Sequence, residues 1–582
     1  MKNIYGWVLC TFLGGIFLGM PMSVLSQPLK PTVPDSILDT ALWTIGLTQA
    51  DLSIRGDILG DVDRLALTQQ VLEEPTRAMM LLPEFNQMTG VALLQDALQM
   101  MDHDTTVIDI NAISVVGGVP QALNELILAL AICQKKMDVI FEGVSAEEKN
   151  LFMSMIYLVD PGMALSEAKS DSLIALGRRI DRRALVMATI ELMKCVDEFV
   201  ASPPALEVGT FDTPIGRVIV GGVGKDVYSE PVLLLIDLGG NDHYVCQSDS
   251  SRLSVVIDLG GDDFYEGAFG SGIVGVGLIV DVQGQDRYIS GGIGQGAGVG
   301  GVGVLIDLGG DDFYQADVGG QGFGLYGVGI LCDRAGDDEY VGALLVQGVG
   351  APGGVGILAD ALGVDTYRAG GKYKDFREAG QYYQSMAQGF GYGVRPLASG
   401  GVGVLVDGDG DDRYQVDYFG QGVGFWGSVG VLIDRQGKDQ YQARRYAQGC
   451  GVHLAVGLLV DHIGDDIYML WGVGQGCGHD LAVGYLVDGG GSDIYRTTWL
   501  AQGVGSANGV GWLDDFGGDD HFYAEGEDTQ GFGGVARDYG SIGLLIDRDG
   551  LDHYRLMREN GATYSGGDYG VLIDWPLLGG TR

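Results

Sequence analysis

The pattern of apolar and polar residues divides the chain into two parts. Residues 36 to about 200 carry apolar residues at i, i+3, i+4 spacing, which predicts amphipathic helices. From residue 208 onward, short apolar runs alternate with Gly and Asp, which predicts strands joined by tight turns. The predicted helices are Ile37–Leu47, Arg64–Leu72, Val91–Met101, Pro120–Lys136, Glu147–Leu158, Ser166–Leu176 and Arg182–Val200.

The segment Ser202-Pro203-Pro204 separates the two parts, because paired prolines stop a helix and stiffen a linker. We therefore predict a helical domain over 30–204 and a Gly/Asp-rich repeat domain over 208–582. The helical region shows no metal-ligand spacing, phosphate loop or nucleophile motif, so we interpret it as a bundle or a cap without chemistry of its own.

The repeat domain contains twelve copies of Asp-x-x-Gly-x-Asp-x-aromatic, and the aromatic residue is Tyr eleven times and Phe522 once. Seven of the steps between neighbouring copies are 26 or 27 residues, and a fixed period of this length is typical of a solenoid. The leading residues of the copies are Asp237, Asp258, Asp281, Asp307, Asp333, Asp360, Asp407, Asp434, Asp461, Asp488, Asp515 and Asp547.

Each full repeat reads as a strand, a turn, a second strand and a Gln-Gly-x-Gly segment, as in residues 303–324. We predict a parallel β-solenoid of about 12–13 coils, with Asp, Tyr and Gln ladders along its axis and hydrogen bonds between stacked Gln amides. A β-propeller blade needs a longer repeat. An outer-membrane barrel of hairpins is a weaker alternative, because its strands would show aromatic girdles.

The charge restricts the function. Lys and Arg number 35 against 77 Asp and Glu, a net charge of −42, which argues against a nucleic acid or an anionic membrane surface as a partner. An apolar content of 46% excludes simple disorder. We predict no nucleic-acid partner and no integral membrane domain after signal cleavage; a protein or polysaccharide partner fits the repeat surface.

The N-terminus resembles a secretory signal over residues 1–26. Lys2 precedes the apolar run 7–18, and a cleavage site fits after Ser26. A single anchoring helix is the alternative. Either interpretation predicts a secreted, periplasmic or cell-surface protein.

The Asp columns require neutralisation, because carboxylates about 5 Å apart repel one another and no basic column accompanies them. Carboxylate and carbonyl oxygens in a Gly-rich turn are the ligands that Ca²⁺ prefers. Alternatively, each Asp caps its own turn without a metal. The predicted Ca²⁺ ligands are Asp258, Asp263, Asp307, Asp312, Asp333, Asp338, Asp407, Asp409, Asp412, Asp461, Asp466, Asp515 and Asp520.

The segments Gly261-x-Asp263-x-Tyr265 and Gly310-x-Asp312-x-Tyr314 resemble the second half of the RTX (haemolysin-type) nonapeptide. This resemblance covers five residues of each repeat. It implies Ca²⁺ in the turns of a parallel β-roll whose folding is driven by the metal. We expect turns with Val364, Lys438 or Leu551 before the second Asp to bind poorly.

The repeat is interrupted at 367–395 by an insertion with aromatic and basic residues, which suit a sugar or an acidic polymer, although a tolerated surface loop is the simpler interpretation. The candidate binding residues are Lys372, Tyr373, Phe376, Arg377, Tyr382 and Tyr383. Because most coils are interchangeable, we predict a non-enzymatic structural, adhesive or polymer-binding protein. The alternatives are a polysaccharide-active β-helix enzyme with its site at the insertion, and an array that binds a mineral surface.

Cys450 and Cys477 lie 27 residues apart at the same repeat position, near His453 and His479. A Cys₂His₂ zinc site, a disulfide and two unrelated buried thiols all remain open.

Overall fold

The computed structural model describes residues 36–54, 65–101, 108, 120–154, 167–246, 252–536, 538–555 and 558–575. The predicted signal segment lies outside these residues. The predicted helical N-terminal region is confirmed, and six of the seven predicted helices lie within four residues of their predicted bounds. The predicted helix Glu147–Leu158 extends beyond the described residues, and the short helix Ala78–Leu81 was not predicted. The helices are α1 Ser36–Thr44, α2 Ala66–Glu73, α3 Ala78–Leu81, α4 Gly90–Met100, α5 Asn124–Ile140, α6 Ala146–Met153, α7 Glu167–Arg178 and α8 Arg182–Ala201.

Short 3₁₀ turns occupy Gln49–Leu52, Pro75–Arg77 and Gln121–Leu123. Side-chain caps set two of the helix starts: the Thr89 hydroxyl accepts the Ala92 N–H at 3.2 Å, and the Asp181 carboxylate accepts the Ala184 N–H at 2.9 Å. Among the described residues, none of the helices combines the length and the apolar character that a membrane crossing requires.

The remainder is a parallel β-solenoid of about 12 turns with a period near 27 residues, as predicted. Each coil contributes one strand to each of two long sheets, A and B, and most coils add a short strand to a third sheet, C. The register is kept between coils: Val302 to Asp307 pair one-to-one with Val276 to Asp281.

Sheet A consists of Gly209–Thr213, Gly216–Val220, Leu234–Asp237, Leu253–Asp258, Val276–Asp281, Val302–Asp307, Val328–Cys332, Val355–Ala359, Val402–Val406, Val429–Asp434, Val456–Asp461, Val483–Asp488, Val510–Asp515, Ile542–Asp547, Gly570–Asp574 and Thr563–Ser565. Sheet C consists of Gly272–Ile273, Gly298–Val299, Phe323–Leu325, Val349–Gly350, Phe390–Tyr392, Val423–Phe425, Cys450–Val452, Gly478–His479 and Gly505–Ser506.

Sheet B consists of Val227–Tyr228, His243–Cys246, Phe264–Gly267, Arg287–Ser290, Phe313–Val318, Glu339–Leu344, Thr366–Ala369, Gln384–Ala387, Arg413–Gln415, Tyr418–Gly420, Gln440–Ala447, Ile467–Gly474, Ile494–Thr497, Trp499–Ala501, His521–Ala524 and His553–Tyr554. A separate hairpin pairs Val535–Ala536 with Tyr539–Gly540. Sheet A ends in an antiparallel strand on both sides: Gly209–Thr213 pairs with Gly216–Val220, and Thr563–Ser565 pairs with Gly570–Asp574.

The interior between sheets A and B is filled by one Leu column and one aromatic column, such as Leu305 and Tyr314. From Tyr265 to Phe522 the aromatic rings of successive coils stack with centroids 4.6–4.9 Å apart and planes within 2–5°. This offset stacking confirms the predicted aromatic ladder.

The opposite face of sheet A is also apolar. Val302, Val304 and Ile306 alternate with Leu305 and share a second core with helix residues such as Leu94 and Val186. The helices therefore lie against the solenoid and cover the outer face of this sheet.

The helices follow the coils in reverse order. Helix α1 contacts the last coils, at strands Ile542–Asp547 and Gly570–Asp574, whereas α4 contacts Val328–Cys332 and α8 contacts Val302–Asp307. Arg435 secures the connection before α4 by donating to the carbonyls of Glu84 (3.2 Å) and Phe85 (2.6 Å).

The Gln ladder differs from the expectation. The Gln448 side-chain amide donates to the Tyr441 carbonyl (3.1 Å) and to the Met469 carbonyl on the next coil (3.2 Å). The side-chain amides therefore join neighbouring coils through the backbone rather than through amide–amide contacts. Gln448 has φ +57, which points its side chain inward at the corner after sheet B.

Candidate metal centre

In eight of the twelve motifs the first Asp accepts a backbone N–H of its own turn through Oδ1, and in eleven it accepts a tyrosine hydroxyl of the preceding coil through Oδ2. The Asp307 carboxylate accepts the Gly309 N–H at 3.0 Å through Oδ1, and the Tyr288 hydroxyl at 2.7 Å through Oδ2. The same pair of contacts recurs at Asp515, from Gly517 (2.9 Å) and Tyr495 (2.8 Å). The turn-capping role predicted as the metal-free alternative is thus present at the first Asp.

The second Asp of each motif forms an unbroken ladder along the axis. Its Oδ1 accepts the backbone N–H of the second Asp one coil earlier, as Asp439 does from Asp412 (2.7 Å) and Asp466 does from Asp439 (2.7 Å). The ladder ends at Asn560, whose amide oxygen accepts the Asp552 N–H at 2.7 Å. A neutral amide thus closes a column that otherwise consists of carboxyl groups.

Among the described residues, none donates a hydrogen bond to the other oxygen of the second Asp. The atom Oδ2 is buried and unpartnered at Asp242, Asp263, Asp286, Asp312, Asp338, Asp365, Asp412, Asp439, Asp466, Asp493, Asp520 and Asp552. These side chains are at most 7% exposed. A buried acceptor without a donor is unfavourable by about 1–3 kcal/mol, and more for a charged group.

Each unpartnered oxygen lies among other carboxylates. Oxygens of Asp307, Asp312 and Asp333 all lie within 4.8 Å of one another, and Asp258, Asp263 and Asp281 form an equivalent group. Such a group joins the two Asp of one coil to the first Asp of the next. Five groups of this kind lie between Asp237 and Asp360, and six more groups of potential ligands occur among the described residues.

The electrostatics of the column favour neutral carboxyl groups or a bound cation. Burial raises the pKa of Asp312, and the neighbouring Asp307 raises it further. Burial, Asp461 and Asp407 act in the same direction on the pKa of Asp439. Across the described residues, no Lys, Arg or His forms an ion pair with either Asp of any motif.

The structure brings nearly all predicted Ca²⁺ ligands into this column. The exception is Asp409, which is exposed and lies outside the buried column. The buried predicted ligands are Asp258, Asp263, Asp307, Asp312, Asp333, Asp338, Asp407, Asp412, Asp461, Asp466, Asp515 and Asp520.

The residue before the second Asp faces away from the column. Asp337 accepts the Val364 N–H at 3.0 Å, and Asp411 accepts the Lys438 N–H at 3.0 Å, both at the solvent-exposed side of the turn. Successive side chains of an extended segment point to opposite sides, so this position supplies no oxygen to the buried groups. The presence of Val364, Lys438 or Leu551 at this position therefore gives no reason to expect weaker Ca²⁺ binding in those turns.

The tyrosine hydroxyls are the functional feature that the sequence interpretation missed. Tyr441 donates to Asp461 at 2.7 Å, across the coil boundary. At Phe522 the donor is absent, and Asp547 instead accepts the hydroxyl of Tyr554 from its own coil. The fixed spacing of Asp and Tyr was the available signal, since a buried Tyr hydroxyl needs a partner.

The four Cys and His residues do not form a zinc site. His453 uses both ring nitrogens, Nδ1 toward Asp480 (2.7 Å) and Nε2 toward Arg395 (3.2 Å). Cys450 and Cys477 are buried free thiols on adjacent coils. Of the three interpretations of this pair, the zinc site, the disulfide and the two buried thiols, the structure agrees with the third.

The predicted binding loop is a hairpin over residues 370–383 of the interrupted coil. It is closed by the Asp375 N–H to the Tyr382 carbonyl (2.9 Å) and by the Gln384 N–H to the Tyr373 carbonyl (2.7 Å). Lys372, Phe376 and Arg377 are exposed, whereas Tyr373, Tyr382 and Tyr383 are half-buried.

Comparisons with protein-family models, with curated proteins and with solved structures found no match to this chain. The chain is a β-solenoid repeat protein with buried Asp clusters, and its function is argued from this geometry.

Proposed function

We propose that this chain is a secreted or cell-surface, non-enzymatic repeat protein whose solenoid binds divalent cations of the calcium type. The cations would lie in the buried Asp column, where they would stabilise a structural or adhesive rod. The observation that supports this proposal is the unpartnered Oδ2 of the second Asp, repeated coil after coil beside two first-Asp carboxylates.

Protons are the competing way to neutralise the column. Keeping a carboxyl group protonated at pH 7, when its unfolded pKa is near 3.9, is unfavourable by about 4 kcal/mol. That penalty recurs in every coil, whereas a folded domain is stable by only about 5–15 kcal/mol. A bound cation removes the penalty, so it is favoured at neutral pH.

The ligand set points to the class of cation. Each coil contributes two buried carboxylates, so one divalent cation per coil would leave the column neutral. Ca²⁺ accepts many oxygen ligands in flexible geometry, whereas Mg²⁺ prefers to keep several waters, for which a closely stacked interior has little room. The resemblance to RTX repeats agrees with this choice.

The test is a Ca²⁺ titration of the full-length chain after chelation, followed by calorimetry and by the unfolding midpoint. The full chain is needed because removal of the helices would expose the apolar outer face of sheet A. We expect several binding events per molecule and stabilisation of about 2.7 kcal/mol per site at a free Ca²⁺ of a hundred times Kd. Absence of binding heat, together with an unchanged midpoint, would refute the proposal.

A pair of variants in one turn locates the sites. Asp412→Asn keeps the Oδ1 acceptor for the Asp365 N–H (2.6 Å) but replaces the unpartnered oxygen with an amide. We expect this variant to fold in chelator and to lose part of the Ca²⁺-dependent stabilisation. The matched control is Asp409→Asn in the same turn, whose side chain is exposed. Equal losses in both variants would place the cations outside the column.

A further inference from the structure

The hairpin over residues 370–383 and the arginines beneath it form a rigid surface on the side of the rod, which we call the insertion platform. The Glu378 carboxylate accepts hydrogen bonds from Arg444 Nε (2.9 Å) and Nη2 (2.6 Å), and pairs with Arg445 Nε at 2.8 Å. These contacts tie the inserted hairpin to the coil that contains the strand Gln440–Ala447.

Aromatic rings hold the arginines in place. The Arg444 guanidinium lies between the rings of Tyr382 and Trp471, at 4.3 and 4.1 Å from their centroids. Arg445 lies over Trp499 at 4.9 Å. Cations and aromatics therefore alternate along the rod axis, from the hairpin across the next coils.

Arg377 is held in the same manner at the tip of the hairpin. Its guanidinium lies 4.8 Å from the Phe376 centroid and 4.9 Å from the Phe419 centroid, and it pairs with Asp375. A loop that is merely tolerated at the surface does not require such a network of ion pairs and ring contacts. The network therefore favours a binding surface over a tolerated loop.

The outward charge of the platform is positive although the whole chain carries −42. The carboxylates that pair with its arginines lie underneath: the side chain of Asp375 is 0% exposed and that of Glu378 is 14% exposed. Lys372 pairs with Asp317, whose side chain is 29% exposed. The side chain of Lys372 is 56% exposed, and Lys374 beside it is also exposed. An anionic partner therefore meets cations first.

Two exposed aromatics complete the surface. Phe376 is 83% exposed and Trp471 is 43% exposed, so aromatic rings accompany the cations on the solvent side of the platform. Aromatic faces accept the apolar faces of sugar rings, while Lys and Arg bind carboxylates. We propose that the insertion platform binds an acidic, uronate-bearing polysaccharide laid along the rod. This proposal does not depend on the cations in the Asp column.

The experiment is binding of hyaluronate to the full-length protein, with neutral dextran as the comparison polymer. We expect binding to hyaluronate alone, weakened by added salt. The double variant Phe376→Ala with Lys372→Gln changes only exposed side chains, and we expect it to weaken binding at least tenfold. Trp471→Ala should act in the same direction, with its unfolding midpoint measured because Arg444 packs on that ring.

The matched control is Trp43→Ala, an aromatic residue 80% exposed on helix α1, which contacts the last strands of sheet A; it should leave binding unchanged. Equal binding of dextran, no binding of hyaluronate, or an equal loss in the control variant would overturn the proposal. The proposal would also be overturned if a protein partner bound to the platform and hyaluronate did not compete with that binding. The Asp412→Asn variant should bind hyaluronate normally, which separates this proposal from the proposed cation binding.

Discussion

At the residue scale, the fold depends on carboxyl groups that are used asymmetrically. In eight of the twelve motifs the first Asp has donors for both oxygens, as at Asp307, whereas the second Asp has a donor for only one oxygen among the described residues in every motif. The first-Asp residues whose Oδ1 has no donor are Asp360, Asp407, Asp434 and Asp547. A single residue type at two fixed positions therefore does two different things: one position shapes the turn, and the other leaves acceptor capacity in the interior.

The tyrosine hydroxyl is the contact most easily isolated by mutation. Tyr441→Phe keeps the ring stack, with neighbours at 4.8 Å, but removes the donor to Asp461. We expect a loss of about 1.5–3 kcal/mol in the free energy of unfolding, the usual range for a hydrogen bond to a charged group. Denaturant unfolding measures it.

The control for this prediction is Tyr523→Phe, because the Tyr523 hydroxyl is on an exposed side chain. It should change the stability little. If the two variants lose the same amount, the buried hydroxyl contributes no more than a surface hydroxyl, and the interpretation of the Tyr–Asp contact is wrong.

At the element scale, each coil turns at a Gln-Gly corner, and the glycine position of this corner has no room for a side chain. Gly449 has φ +69, and a Cβ there would overlap the carbonyl oxygen of Tyr485. Equivalent glycines at positive φ occur along this corner, including Gly422, Gly476 and Gly503. The corner thus requires glycine both for its backbone conformation and for the close approach of the neighbouring strand.

Gly449→Ala is expected to destabilise the protein by more than about 3 kcal/mol, because the clash is with backbone and the conformation is strained as well. The comparison variant is Gly291→Ala, where an added Cβ meets nothing within 4 Å. Thermal unfolding of the two proteins tests the prediction, and a midpoint for Gly449→Ala close to that of Gly291→Ala would contradict it.

The elements themselves could be predicted from the sequence, whereas their contacts across coils could only be predicted in part. The motif spacing gave the strands and the stacking of like residues, because in-register coils place position on position. It did not show that Tyr441 reaches forward to Asp461, nor that Asp409 faces solvent, since both depend on the three-dimensional path of the turn.

The position of the helices was also not predicted, although a signal was present. In the strand Val302–Asp307 one alternating set is Val302, Val304 and Ile306, and Leu305 on the other face is apolar as well, a pattern typical of a sheet covered on two faces. The local pattern shows that something covers the outer face. It does not say which part of the chain does so.

At the scale of the whole molecule, we expect the buried Asp column to make the stability of the metal-free protein depend on pH. Burial and neighbouring carboxylates raise the pKa of Asp439 and Asp466 to about 8 in the folded chain. The unfolded chain releases these protons near pH 4, so the folded state binds more protons above that value. In chelator, stability should therefore fall as pH rises from about 4 to 8, by up to about 1.4 kcal/mol per unit and group.

With saturating Ca²⁺ the trend should disappear or reverse, because a cation replaces the protons. Unfolding midpoints at pH 5 and pH 8, each in chelator and in Ca²⁺, give the four values required. A metal-free protein that is more stable at pH 8 than at pH 5 would show that the column is not held neutral by protons.

The reverse order of the helices along the rod has a consequence for evolution and for synthesis. A repeat protein can ordinarily gain or lose a unit, because each unit contacts only its neighbours. Here α1 contacts late coils and α8 contacts an early coil. Insertion or deletion of a coil between these contacts would shift them relative to each other, so the helical segment restricts changes in the number of coils. Helix α1 precedes all the coils in the sequence, so its contact with the strand Gly570–Asp574 can form only after the intervening coils have been synthesised.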